Sequence, residues 1–179
     1  GDLLLMESRN SVRNITAHLL EKGCTLPGFM GDIGYAQSNR ERYEGFCQAL
    51  MDAGKTPNPS LCLTTPLGID SYREEIDSFL SSLSRMPDAF VCASDYVACI
   101  LMQLLEKRGL RVPEDVAVSG FDNNIEDLLA ENLTTVQVFN EELGSRLALQ
   151  ILYRIKYPHT PHEVTYLESK VLYRASTGD

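Results

Sequence analysis

The sequence predicts an α/β protein built on a parallel sheet. Three observations point there. Apolar runs of strand length alternate with helix-length segments along most of the chain. Between Ala89 and Phe121 the order strand, helix, strand makes one βαβ unit, whose crossover renders its two strands parallel. Both strands of that unit end in polar residues, Ser94-Asp95 and Asp122-Asn123. Ligands of open α/β sheets lie beyond the carboxyl ends of the strands, so this edge is a candidate polar site.

The elements follow in order. Leu3 to Met6 reads as a short strand. Ser8, Asn10 and Ser11 are candidate caps for a helix to Lys22, with Val12, Ile15, Leu19 and Leu20 at helical spacing and Gly23 as the stop. Leu26 to Met30 is a strand whose Pro27 suits only its first positions. The loop Gly31 to Tyr35 leads to a helix from about Ser38 to Ala53. Leu61 to Leu63 is a short strand, and the next helix turns Ile76, Phe79, Leu80 and Leu83 inward. Ala89 to Ala93 is followed by a helix without Gly or Pro until Gly109, then by the strand Val116 to Phe121. Residues 125 to 129 fit a single helical turn, and Thr134 to Val138 a strand. Asn140 is placed to cap a long helix with Leu143, Leu147, Ile151 and Leu152 in its stripe. Tyr157 to Pro161 breaks that helix, and the alternation of Val164, Tyr166, Val171 and Tyr173 with polar residues is a strand signal.

Composition narrows the function. At 179 residues, 44% hydrophobic and 23% charged, the chain fits one globular domain. No apolar run approaches the roughly 18 residues that would cross a bilayer. Net charge is −9, and Lys and Arg are scattered, so this stretch is not expected to hold DNA by itself. Five cysteines, an odd number without a Cys-x-x-Cys pair, suggest reduced thiols and a cytoplasmic location. The sequence has no Gly-x-Ser-x-Gly elbow and no glycine-rich phosphate loop. His159-x-x-His162 lacks helical spacing and reads as a surface loop. Nothing calls for catalysis, a metal or a cofactor.

Three runs carry a resemblance: Pro87-Asp88-Ala89-Phe90-Val91 with Ser94-Asp95, then Gly109 to Ala117, then Gly120-Phe121-Asp122-Asn123. Continued by Leu133 to Val136, and upstream by Ser38 to Leu50, the chain resembles the effector-binding region of LacI/GalR bacterial transcriptional regulators. The resemblance implies a three-layer αβα parallel sheet, one lobe of a two-lobed periplasmic-binding-protein-like fold. It places residues 1–136 and 161–179 in the C-terminal lobe. Residues 137–160 become an excursion helix of the N-terminal lobe, which, like the helix-turn-helix head, is expected outside this stretch. The implied partners are a carbohydrate-like small molecule, a second copy of the chain, and DNA only through that head; no membrane is implied.

The resemblance also assigns residues. Ser38, Arg42, Ser94 and Asp122 match positions that face the effector. From the residues alone, Arg42 also suits a surface salt bridge, Asp122 a turn and Ser94 a helix cap. A guanidinium offers fixed parallel donors for vicinal hydroxyls, a carboxylate or a phosphate, and Asp122 would accept from hydroxyls. Asp95 reads as a helix cap outside the core of the site. On a helical wheel Val97, Ile100, Leu101, Leu104 and Leu105 face the sheet, which sets Cys99 and Met102 on the outer side. With Leu128 and Leu129 they form the expected dimer interface. A transport sugar-binding protein on the same fold is the alternative function, and an enzyme on a flavodoxin-like sheet a third.

Overall fold

The computed structural model describes residues 1–68, 70–124 and 130–179. The strands are β1 (Leu3–Met6), β2 (Pro27–Met30), β3 (Cys62–Leu63), β4 (Ala89–Cys92), β5 (Ala117–Ser119), β6 (Thr135–Gln137), β7 (Val164–Leu167) and β8 (Lys170–Leu172). The helices are α1 (Arg9–Glu21), α2 (Gln37–Asp52), α3 (Tyr72–Ser82), α4 (Asp95–Lys107) and α5 (Asn140–Lys156). The turn expected at 125–129, with Leu128 and Leu129, lies outside the described residues.

Four parallel strands in the order β3-β2-β4-β5 form the main sheet. The alternation of β4 explains its layers. Ala89, Val91 and Ala93 face α1 and α2, where Val12, Ile15, Leu19, Phe46 and Leu50 are buried. Phe90 and Cys92 face α3 and α4, among Ile76, Leu80, Leu101 and Leu105. Every residue of β4 is buried, as expected for a parallel strand covered on both faces. The lobe is therefore the three-layer αβα arrangement.

Helices α1 and α2 approach closely because residue 45 is glycine. A β-carbon there would stand 2.2 Å from the Arg9 carbonyl oxygen. The first amides of α1 are satisfied by the Glu7 carboxylate, which accepts from Asn10 N at 2.5 Å and Ser11 N at 3.1 Å; none of the serines or Asn10 caps it. Asn140 is likewise the first residue of α5, not its cap.

One expectation is corrected. Cys99 and Met102 do not lie on an outer face of α4; they are 5% and 9% exposed, inside the core. The wheel treated the sheet as α4's only neighbour. Helix α3 runs beside it, tied by the edge-on Tyr72–Tyr96 contact, by Arg73 to Gln103 and by Arg108 to Asp77 at 2.6 Å.

Past β5 the sheet is continued by single bridges, Ser119 to Thr134 and Asp122 to Gln137, and β6 pairs antiparallel with β8. The last turn of chain then stitches the lobe shut. Ser176 Oγ donates to the Val118 carbonyl at 2.6 Å and accepts from Thr134 N at 2.8 Å, while the Thr134 and Thr177 hydroxyls meet at 2.6 Å.

A second, smaller assembly stands apart from the main sheet. β1 pairs in parallel with β7, and α5 lies against β1. Asp2 gathers Gln150 Nε2 at 2.7 Å, Arg154 Nε at 3.1 Å and Glu163 N at 3.1 Å. No residue of α5 is buried, and Leu152 and Ile155 are 63% and 73% exposed.

Candidate functional site

The site candidates stand where β2, β4 and β5 end. β2 runs into the Gly31–Tyr35 loop, where Asp32 Oδ1 accepts from Gly34 N at 2.7 Å and Tyr35 N at 3.1 Å. The Asp32 carbonyl accepts from Asn39 Nδ2 at 2.9 Å, which fixes the start of α2 over the strand ends. Ser38 and Arg42 then share one face of α2, four residues apart.

Arg42 is 8% exposed. Its Nη1 donates to the Ala93 carbonyl at the end of β4, and the guanidinium carbon lies 3.6 Å from the centroid of the Phe121 ring. Its Nη2 stands 3.5 Å from Asp122 Oδ1. Its Nε is buried without a hydrogen-bond partner among the described residues. Burial pulls the guanidinium pKa down, and Asp122, Asp95 and Glu41 push it back up. The Asp122 carboxyl is pushed up by burial, against the pull of Arg42. A donor fork and an acceptor are thus set side by side in a partly desolvated place.

Asp122 and Asn123 have φ of 113° and 49°, both in the region that favours glycine. Such positions cost on the order of 1–3 kcal/mol each and persist only where the surroundings hold them. Asn123 Nδ2 donates to Gln137 Oε1 at 2.5 Å, and its Oδ1 accepts from Arg174 Nη2 at 2.9 Å. Ser94 caps α4, its Oγ accepting from Val97 N at 3.4 Å. It adjoins the carbonyl that Arg42 holds, so Arg42, Asp122 and Ser94 share one corner, with Ser38 one helical turn from Arg42.

Sequence reasoning missed Asn39, Phe121 and Gln137, and it set Asp95 aside as a cap. Asp95 is instead fully buried under the Asp122 turn. A lone Asp after a strand looks the same in either role. Phe121 closing an apolar run gives no sign that its ring underlies a cation.

Comparison with known proteins places this arrangement. The periplasmic binding protein-like domain family matches residues 16–177. The HTH-type transcriptional repressor PurR of Aliivibrio salmonicida is 29% identical over 163 residues, 90% of this chain and 48% of its own length. A putative LacI-family transcriptional regulator from Sanguibacter keddieii superposes with a TM-score of 0.87 at 27% identity, over 99% of this chain and 67% of that one. The CelR regulator in complex with cellobiose gives 0.85 at 26% identity, over 98% and 54%. The chain spans about half the length of the curated relatives it matches. A parallel αβα lobe, a site corner at its strand ends and these matches agree: the chain belongs to the periplasmic binding protein-like domain family, as an effector-binding region of the LacI/GalR type.

Proposed function

We propose that this chain is the effector-sensing part of a LacI/GalR-type transcriptional regulator that takes a hydroxyl-rich small molecule, a sugar or sugar phosphate, at Ser38, Arg42, Ser94 and Asp122. The observation that carries the reading is the buried Arg42 guanidinium beside Asp122, with one N–H unspent among the described residues. A site with a donor fork and an acceptor favours a polyol over an apolar ligand, because an unmatched buried polar group is costly. The relative solved with cellobiose supports this ligand class. No described helix is long and apolar enough to cross a membrane. A cytoplasmic location and a role without catalysis belong to the same reading, since the matched relatives are transcription regulators.

In this reading α5 belongs to a second lobe, together with β1 and β7, which pair with each other and carry it. The excursion expected at 137–160 is therefore drawn wider. The bare apolar face of α5 and the doubled length of the relatives support it. Closure of two lobes around the effector would shift the population of a dimer between states of different DNA affinity. The dimer is part of the proposal; Tyr96, 54% exposed at the start of α4, supports a contact there.

Calorimetry of the full-length protein with cellobiose, ribose and their phosphates tests the function. Binding heat should vanish in Arg42→Ala while the protein stays folded. Equal affinity in wild type and variant would sink the site.

A further inference from the structure

Asp95 opens α4, but its contacts run to the neighbouring turn. Its backbone N–H donates to the Phe121 carbonyl at 2.8 Å. Its Oδ1 accepts from Thr135 Oγ1 at 2.5 Å, and the backbone amides of Asn123 and Asn124 donate to the same carboxylate. A β-carbon on Gly120 would come within 2.3 Å of Oδ1, so the carboxylate lies directly on the turn.

We propose that Asp95 is a positioning residue for the binding edge: an acceptor-only carboxylate that clamps the Phe121–Asn124 turn and so holds Asp122 beside Arg42. The inference rests on the effector reading for its functional meaning. Its physical basis does not. Each hydrogen bond to the Asp95 side chain among the described residues brings a donor, and an ionised carboxylate offers lone pairs in every direction and no donor of its own. An amide of the same shape has one oxygen for these donors, and its NH2 would clash wherever it met a backbone N–H. Two successive positive φ values require such an outside hold, and Asp95 supplies it from β4's end to the turn after β5.

Among the described residues, the charged and titratable groups around Asp95 are Asp122 from the turn, Arg42 from α2 and the Cys92 thiol from β4. Burial, with Asp122, raises the Asp95 carboxyl to about 6, against the pull of the Thr135, Asn123 and Asn124 donors. The clamp therefore loosens as pH falls through about 6, when the acid group gains a proton and presents a donor.

The test follows amide resonances of the uniformly labelled protein from pH 5 to 7.5. In wild type the Asn123 and Asn124 amides should titrate together with a midpoint near 6. Asp95→Asn should abolish that titration and speed hydrogen exchange at both amides at least about tenfold, the change expected for losing one such hydrogen bond of roughly 1.4 kcal/mol. Thr135→Val, which removes one donor and no charge, should move the midpoint up. A flat wild-type profile, or a midpoint that Thr135→Val leaves in place, overturns the clamp even where Asp95→Asn does not fold. Calorimetry with cellobiose, ribose and their phosphates on full-length wild type, Arg42→Ala and Asp95→Asn gives the functional arm. Asp95→Asn should weaken binding about tenfold and remove its acid sensitivity, which in wild type reaches at most tenfold per pH unit. A loosened turn with unchanged sugar affinity overturns the positioning role and leaves the effector reading standing. A titrating, clamped turn in a protein that binds neither sugar nor sugar phosphate overturns the effector reading instead.

Discussion

Replacing Arg42 with alanine should cost the ligand-free protein stability as well as ligand. The side chain is anchored by the Ala93 carbonyl, stacks 3.6 Å from the Phe121 centroid and stands 3.5 Å from Asp122. A charged hydrogen bond of this kind contributes about 1.5–3 kcal/mol, and a desolvated cation–π contact about 1–2 kcal/mol. The long Arg42–Asp122 separation and the 29% exposure of the Asp122 side chain keep that pair below the about 3–5 kcal/mol of a sealed ion pair. Burial of the guanidinium itself, which its lowered pKa reports, is relieved on removal. A net loss of about 2–3 kcal/mol follows, against a typical total of about 5–15 kcal/mol, so the variant folds. For a chain of this size that lowers the melting temperature by about 4–12 °C. Calorimetric melts and urea titrations of wild type, Arg42→Ala and Arg42→Lys read the effect. Lysine keeps a charge but neither the planar fork nor the stack, so it should recover little. Arg42→Ala melting within a degree of wild type would refute the reasoning, because the guanidinium would then not be tied down before the ligand arrives.

Gly45→Ala should push α1 from α2, since its β-carbon meets backbone of Arg9 and Arg13; a loss of about 1–3 kcal/mol in urea melts is expected. Phe90→Ala, fully buried between β4 and α3, should cost about 3–5 kcal/mol in the same assay. Leu152→Asp with Ile155→Asp should leave stability nearly unchanged in this chain, because both side chains are already in solvent; a large drop in melting temperature would show α5 packed on its own lobe. Asp95 provides a pH prediction. Its folded pKa of about 6 lies above the ordinary 3.8, so the folded chain holds this proton more tightly than the unfolded one; the stability that supplies is complete below about pH 4 and is lost as pH rises through 6, while the same ionisation tightens the local turn. Wild type should therefore lose stability relative to Asp95→Asn between pH 4 and 6, and an opposite slope would count against the burial of this carboxylate.

The strands and helices of the lobe were legible because each has a local signature. Gly109, with φ of 72°, ends α4 where the sequence stops the helix, and the all-apolar run at 89–93 is the doubly covered central strand. What local pattern could not supply is what lies opposite. The β1–β7 pair joins residues some 160 positions apart, and nothing in Leu3 to Met6 names its neighbour. The outer side of α4 was misjudged for the same reason: a periodic stripe identifies one partner, and α3 is a second. At the site, Arg42 and Asp122 were singled out by their chemistry and by resemblance. Phe121 and Asp95 act through contacts that only the folded turn creates.

The stitch made by Ser176 and Thr177 carries a consequence for how this lobe comes apart. Its final strand and tail are reached only after the chain has left for α5 and come back, yet they bond to β5 and to Thr134. A protease nick in the exposed connection at 157–161 would cut the covalent path without cutting that bonding. The two pieces should co-migrate under native conditions and separate only in denaturant. Mixed as separate peptides, the tail should restore the melting transition of the larger fragment, since the lobe is completed by a segment held by hydrogen bonds and not by its place in the chain.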